Sequence, residues 1–295
     1  MEKIVYLNGS LIPCSQARIS VFDHGFLYGY GLFETMRAYN SRIFLLGRHL
    51  SRLLNAAKIL GLGSGLNAAD LAKACWDTLA ANRLEDARLR LTVSRGEAGP
   101  FPGPNIGENP TVLVTASSYS PPPPEKYGRG FRAGVASFGC LSQSPFIKLK
   151  STSYLANVMA KLEAEAAGLD ESLLLNEHGL ITEASISNVF LVTPSSNLVT
   201  PRVESGLLLG ITRQVVLELA GSLGINALED EVRLEDLGEF SEAFLTNSLM
   251  ELMPLVEVID NAGKTIPIGS GKPGPVTKRL TAAYRELVER ETSSQ

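Results

Sequence analysis

The chain has 295 residues, a formal net charge of -4, 44% apolar residues and 20% charged residues. That balance excludes a disordered chain and a basic nucleic-acid binder, and the length allows two domains whose cores need neither disulfides nor metals. The cysteines (Cys14, Cys75, Cys140) and histidines (His24, His49, His178) show no CxxC, HxH or HExxH spacing. This argues against a zinc enzyme or a Ser-His-Asp hydrolase, leaves the thiols reduced and structural, and gives no reason to expect a metal.

The opening MEKIVYLNGSLIP carries Glu2 and the turn-forming Asn8-Gly9 where a signal peptide needs an unbroken apolar core. No apolar run approaches the roughly 20 residues of a membrane helix, so a cytoplasmic protein without a membrane partner is expected. KIVYL and SLIP flank the Asn8-Gly9 turn as a hairpin, and GLFETMRAYNSRIFLL reads as a second hairpin turning near Asn40-Ser41. In GRHLSRLLNAAKILGL the residues Leu50, Leu53, Leu54, Ala57 and Leu60 recur at helical spacing and leave Arg48, Arg52 and Lys58 off the stripe. DLAKACWDTLAANRL reads as another helix, and RLRLTVS and TVLVTA as strands. The composition then breaks at SSYSPPPPEKYGRG, where Pro121 to Pro124 are expected in neither a helix nor an internal strand.

Beyond the prolines, FRAGVASF and FIKLK are expected strands and SYLANVMAKLEAEAAG a helix. ESLLLN and ISNVFLV follow as strands, then helices beginning at GITRQVVLELA and at PVTKRLTAAYRELVERE. The alternation predicts an α/β (α+β) protein: a domain over 1–120, a Pro-rich linker over 121–127 and a domain over 128–295, with a cleft between the domains as a ligand site.

The glycine clusters GLGSG at 61–65 and GSGKPG at 269–274 lack the strand context or spacing of phosphate-wrapping loops and read as turns. Lys148 and Lys150 are different, because a lysine inside an apolar β segment must be paired, exposed or neutralised. Two readings stand: an edge strand with both amines in water, or one amine with a lowered pKa that forms an imine with a carbonyl. Strand alternation gives the two lysines the same parity and cannot separate them. After Lys150, Ser151, Thr152 and Ser153 offer N-cap oxygens, and Tyr154, Leu155, Val158, Met159 and Leu162 form the apolar stripe of a helix ending at Gly168. GITR at 210–213 opens its helix as a plain N-cap or as a phosphate site. In ITEASISNVFLV, Glu183 precedes a strand carrying Ser185, Ser187 and Asn188, and a solvated loop carboxylate is its default reading.

Together, Lys150 in KSTSYLANVMA, the segment TEASISNVF, the GITR helix start and TNSLMELMP resemble the fold-type IV pyridoxal-phosphate enzymes. That family holds the branched-chain aminotransferases, the D-amino-acid aminotransferases and 4-amino-4-deoxychorismate lyase. FDHGFLYGYGLFETMRAYN and HLSRLLNAAKI extend the similarity over nearly the whole chain. The resemblance implies a small N-terminal α/β domain, a larger C-terminal pseudo-barrel domain that binds the cofactor, and a homodimer. By it, Lys150 is the catalytic Schiff-base lysine and Lys148 a neighbour. Glu183 bonds the pyridine nitrogen, keeping it protonated so that the ring draws electrons. Arg52, Ile211 through its N–H, Thr212 and Ser248 match phosphate-binding positions. Tyr154 bonds the ring oxygen, Leu208 packs on the ring, and Ser187 and Asn188 complete the cofactor set.

For the substrate, Tyr28, Phe33 and Arg37 match positions that line the side-chain pocket and hold a carboxylate in branched-chain aminotransferases. Thr35 stands where those enzymes commonly have glycine. The D-amino-acid enzymes carry an Arg-x-His trap after SRG, where this chain reads EAGPFPGPN, which would leave the carboxylate to Arg37, Arg88 or Arg90. SRGEAG, the four-residue step from Lys150 to Tyr154 and TNSLMELMP look lyase-like. The expected reaction is transfer of an amino group between an amino acid and a 2-oxo acid such as 2-oxoglutarate or pyruvate; the alternative is the lyase reaction giving 4-aminobenzoate and pyruvate.

Overall fold

The computed structural model describes residues 2–63, 65–97 and 109–293. The chain divides into two units, one of Met1–Ser120, Leu149–Ser153 and Val288–Gln295, the other of Pro121–Lys148 and Tyr154–Leu287. The second unit is therefore not a continuous stretch after the prolines, since five residues around Lys150 belong with the first. No helix among the described residues is long and apolar enough to cross a membrane.

In the first unit, β1 (Ile4–Leu7) and β2 (Ser10–Pro13) form the expected hairpin. Asn8 and Gly9 take φ of 47° and 97°, the positive pair that such a two-residue turn needs. The short helix α1 (His24–Tyr28) is capped by Asp23, whose side chain accepts from the Gly25 N–H. Then come β3 (Gly31–Tyr39), β4 (Arg42–Ile43), α2 (Leu46–Leu60), α3 (Ala68–Ala81), β5 (Ala87–Ser94) and β6 (Thr111–Ser118). The strands make an antiparallel sheet in the order β2-β1-β6-β5-β3-β4. Leu50, Leu53 and Ala57 of α2 and Leu71, Ala74 and Cys75 of α3 bury with Leu32, Met36, Leu89 and Leu91 of the sheet. Strand alternation then sends Phe33, Thr35 and Arg37 to the opposite face, with Arg90 and Arg88 cross-strand from Thr35 and Arg37.

The second unit holds α4 (Pro124–Arg129), β7 (Phe131–Val135), α5 (Leu155–Ala166), β8 (Glu171–Leu175), β9 (Ile181–Ala184), β10 (Asn188–Val192) and β11 (Leu198–Pro201). It continues with α6 (Ile211–Ser222), β12 (Ala227–Asp230), β13 (Glu242–Asn247), β14 (Glu251–Ile259), β15 (Thr265–Pro267) and α7 (Pro275–Thr292), whose residues from Val288 onward are assigned to the first unit. Eight strands run in the order β12-β11-β10-β13-β14-β7-β8-β9, and β15 pairs β14. All of β10, Asn188–Val192, is buried, and its Phe190 stacks on Phe244 of β13 with ring centroids 5.0 Å apart.

One expectation is corrected here, and the direction of one helix face is settled. Pro124 opens a helix, because the first helical residue needs no N–H donor and its fixed φ suits that position. In α5 the apolar stripe faces outward: Leu155, Val158, Met159 and Leu162 are 71%, 46%, 44% and 50% exposed, while Ala160 and Ala164 are buried. Helical periodicity finds a face but cannot say which side of the helix the sheet lies on, and here small alanines allow the close approach.

Candidate active site

The expected strand FIKLK does not form. Residues 145–148 are turns, with the Ile147 N–H donating to Ser144 at 3.3 Å, and Pro145 cannot donate to a ladder. Lys148 is exposed in the second unit, whereas Leu149 is buried in the core of the first and Lys150 is half-buried beside it. The lysines therefore do not share one strand face. Lys150 is held at the edge of β3: the Phe33 N–H donates to the Lys150 carbonyl at 2.9 Å, and the Thr152 N–H to the Gly31 carbonyl at 2.9 Å. The hydroxyls of Thr152 and Ser153 donate to the Gly29 carbonyl at 2.8 and 3.2 Å. These side chains thus fasten the lysine segment, and α5 starts with Tyr154 at its N-cap position and no side-chain cap. Gly31 is required by this approach, since a Cβ there would stand 2.9 Å from the Val93 carbonyl oxygen and 3.0 Å from Thr152 Oγ1.

Lys150 Nζ lies 4.6 Å from the centroid of the Phe33 ring, and the Arg90 guanidinium lies 3.8 Å from the same centroid. Arg37, 7% exposed, stacks between Tyr39 at 4.1 Å and Tyr119 at 5.2 Å. One face of the sheet therefore gathers Lys150, Arg90 and Arg37 around aromatic rings, a setting where a carboxylate is attracted and an amine is close by. Arg88 is on this face but exposed, and Tyr28 is 53% exposed with its ring edge-on to His24 at 5.0 Å. The segment EAGPFPGPN lies outside the described residues beyond Glu97.

On the opposite face, Glu34 receives Arg52 Nε at 2.8 Å and Nη2 at 2.6 Å, and His49 Nδ1 at 2.7 Å. Burial by itself would raise the Glu34 carboxyl. The Arg52 charge and the His49 hydrogen bond outweigh it and hold the group down at about 2. Burial pushes His49 below its ordinary value against the pull of Glu34, so the ring is neutral and its Nδ1–H donates. Neither Glu34 nor His49 was singled out by sequence pattern, although Glu34 is a lone acid at a core-facing position of an apolar strand.

In the second unit the remaining candidates gather around one turn. Glu183 lies within β9 rather than ahead of a strand, and its carboxylate accepts from the Leu208 N–H at 3.2 Å and from Asn188 Nδ2 at 3.3 Å. Asn188 also donates to the Leu208 carbonyl at 2.8 Å. The turn between β9 and β10 is tied down at Ser185, whose carbonyl receives the Tyr154 hydroxyl at 3.2 Å and Asn157 Nδ2 at 2.8 Å. The hydroxyls of Ser185 and, at 3.5 Å, Ser187 donate to Glu171, a carboxyl that is 1% exposed and that burial pushes above its usual range. Asn247 donates to Ile186 in the same turn at 3.2 Å and accepts from the N–H groups of Leu249 and Met250, which fixes the turn that begins at Ser248. Gly210, where a Cβ would overlap Asn188 Oδ1, precedes α6, and the helix opens at the buried Ile211 and Thr212 without a side-chain cap. Asn157, Glu171 and Asn247 escaped the sequence reading because their partners are distant in the chain.

The family described as amino-transferase class IV matches residues 31–258. A Methanocaldococcus jannaschii relative named for branched-chain-amino-acid aminotransferase activity is 36% identical, the match covering 96% of each chain. D-alanine aminotransferase of Bacillus licheniformis is 32% identical, the match covering 98% of each chain. Aminodeoxychorismate lyase of Bacillus subtilis is also 32% identical, over 97% of this chain and 95% of its own. The crystal structure of the Escherichia coli branched-chain amino acid aminotransferase superposes with a TM-score of 0.90 at 28% identity, covering 100% of this chain and 97% of that one.

Proposed function

This chain belongs to the class IV aminotransferases, and we propose that it moves an amino group between a branched-chain-type amino acid and a 2-oxo acid, with Lys150 as the catalytic amine. It is a pyridoxal-phosphate enzyme of fold type IV. Bound pyridoxal phosphate supplies an aldehyde that holds amino groups covalently and a ring that accepts electrons. The donors of the chain suit that group: an uncapped helix start behind Gly210, a carboxylate positioned by Leu208 and Asn188, and a half-buried lysine.

In this reading Arg52, the Ile211 N–H, Thr212 and Ser248 hold the phosphate. Glu183 keeps the ring nitrogen protonated, Tyr154 faces the ring oxygen, Leu208 packs on the ring, and Ser187 and Asn188 support Glu183 and its turn. Lys150 anchors the cofactor and then carries the Cα proton as general base and acid. Arg90 and Arg37 receive the carboxylate, with Phe33 beside the side chain and Tyr28 and Arg88 at the margin. The observation that carries this reading is the pairing of Lys150 and Arg90 at the single ring of Phe33.

The test mixes the cofactor-loaded protein with single L- and D-amino acids and follows its visible absorbance. Bleaching by L-leucine or L-valine that a 2-oxo acid reverses supports the proposal. Bleaching by D-alanine alone moves the enzyme to the D series, and release of 4-aminobenzoate from aminodeoxychorismate without any bleaching by amino acids overturns transamination.

A homodimer is part of the same proposal. The outward stripe of α5 and, in the first unit, Val21, Phe22 and Phe26 at 64%, 66% and 75% exposure are apolar surfaces that a second copy would cover. A monomeric mass by light scattering would remove this part of the reading. The free thiols Cys14, Cys75 and Cys140 suit a reducing, cytoplasmic setting.

A further inference from the structure

The turn at residues 248–250 is held at both ends. At its start, Asn247 accepts from the N–H groups of Leu249 and Met250, each at 2.9 Å. At its end, the Met250 carbonyl receives the hydroxyl of Tyr127, a residue of α4 that is 123 positions away in the chain, at 2.9 Å. The next residue, Glu251, pairs with Asn247 across the hairpin and takes a φ of 61°. Glycine adopts that left-handed conformation without strain, whereas a glutamate keeps it only where surrounding contacts hold it. The backbone alone would favour glycine here, so the glutamate is present for its side chain. Its carboxylate is 8% exposed and receives Arg285 Nε of α7 at 3.3 Å. The Arg285 guanidinium in turn lies 5.8 Å from the centroid of the Tyr127 ring. Two helices that carry none of the proposed cofactor contacts thus converge on the end of one turn.

We propose that Glu251 and Tyr127 are positioning residues that fix the end of this turn, so that Ser248 at its start meets the cofactor phosphate in a preset place. The inference rests on the reading of Ser248 as a phosphate-binding residue. Two effects of Glu251 oppose each other, which makes the sign of the outcome informative. As a negative charge it repels a phosphate, so its removal would tighten binding. As a brace it removes disorder that the turn would otherwise lose on binding, so its removal would weaken binding.

The experiment titrates the full-length apoenzyme with pyridoxal phosphate and with pyridoxal. The pyridoxal dissociation constant divided by that of pyridoxal phosphate measures the contribution of the phosphate. Both ligands are measured on one preparation, so misfolded protein cancels, and a merely structural role changes both constants alike. Tyr127→Phe keeps the ring beside Arg285 and deletes the bond to Met250, while Glu251→Gln keeps the length and deletes the charge that Arg285 faces. Each is expected to lower the quotient about three- to tenfold, the range for one hydrogen bond, with the pyridoxal constant within about twofold of the parent's. A quotient that stays or rises in either variant overturns the role of that residue, and in both variants the whole proposal. Glu251→Gly serves if the glutamine variant does not fold, because glycine takes the positive φ freely: a lower quotient supports positioning, and a parental quotient overturns it. Ser248→Ala separates the two levels. If it leaves the quotient at its parental value, the phosphate reading of Ser248 fails; if it lowers the quotient while Tyr127→Phe and Glu251→Gln do not, only the positioning role fails.

Discussion

The backbone N–H of Phe33 donates to the carbonyl of Lys150 at 2.9 Å, and the Lys150 amine lies 4.6 Å from the centre of the Phe33 ring. The strand that supplies the aromatic ring thus also fixes the amine beside it. Lys148 has no share in this arrangement, being exposed in the other unit. Lys150→Ala should lower turnover by at least about a thousandfold and abolish the visible absorbance of the loaded protein, while Lys148→Ala keeps both. Absorbance spectra of the two purified variants check this, and a Lys150→Ala protein of unchanged colour would refute the assignment.

Gly31 allows the lysine segment to approach β3. Gly31→Ala places a methyl group 2.9 Å from a backbone oxygen of Val93, which cannot retreat without disturbing the sheet. The expected loss is about 1–3 kcal/mol of stability, read by urea denaturation, together with weaker cofactor retention. A variant as stable as the parent would mean that the segment is fastened by other contacts.

Arg90 is expected to act on substrates through their carboxylate. Arg90→Leu should raise KM for the amino acid by about 10- to 100-fold, the range for a hydrogen bond to a charged group. The KM for an amine lacking a carboxylate should stay within about twofold on the same scale of additive effects. Steady-state kinetics on matched substrates give the comparison, and equal losses on both would assign Arg90 to structure.

Acid should weaken the first unit through Glu34. Its carboxyl is held down at about 2 from an ordinary 4.5, so its contribution is fully present above 4.5 and is lost as the pH falls through 2. The difference is roughly 3 kcal/mol at 1.36 kcal/mol per unit. Denaturation midpoints measured between pH 5 and 3 should fall more steeply for the parent than for Glu34→Gln, and parallel slopes would contradict this.

Glu171 has the opposite sign. Its carboxyl is raised by burial, so the folded state favours the protonated form and stability decreases as the pH rises above 4.5. Glu171→Gln, which cannot titrate, should gain stability relative to the parent between pH 4.5 and neutrality. A relative stability independent of pH would show that the Ser185 and Ser172 hydrogen bonds cancel the effect of burial.

Local chemistry sufficed for the parts of this protein that depend on near neighbours. Asn8-Gly9 and Asn40-Ser41 made hairpins because those residues accept positive φ, and Leu50, Leu53 and Ala57 marked the buried face of α2 through helical spacing. The ordered motifs around Lys150, Glu183 and Thr212 were likewise enough to identify the family. Sequence spacing failed where the deciding partner was remote. The hydroxyl of Thr152 was expected to cap a helix, yet it bonds Gly29, 123 residues away. FIKLK was expected as a strand, but residues 145–148 form turns and only the residues after Lys148 reach an edge of β3. The stripe on α5 was read correctly as a face, and only the tertiary structure showed that it points outward. The tertiary structure alone decided which lysine belongs with Phe33 and that Arg52 is locked by Glu34. Hydrogen-bond geometry and burial depend on which distant segments meet, and a periodic pattern within one segment holds no record of that.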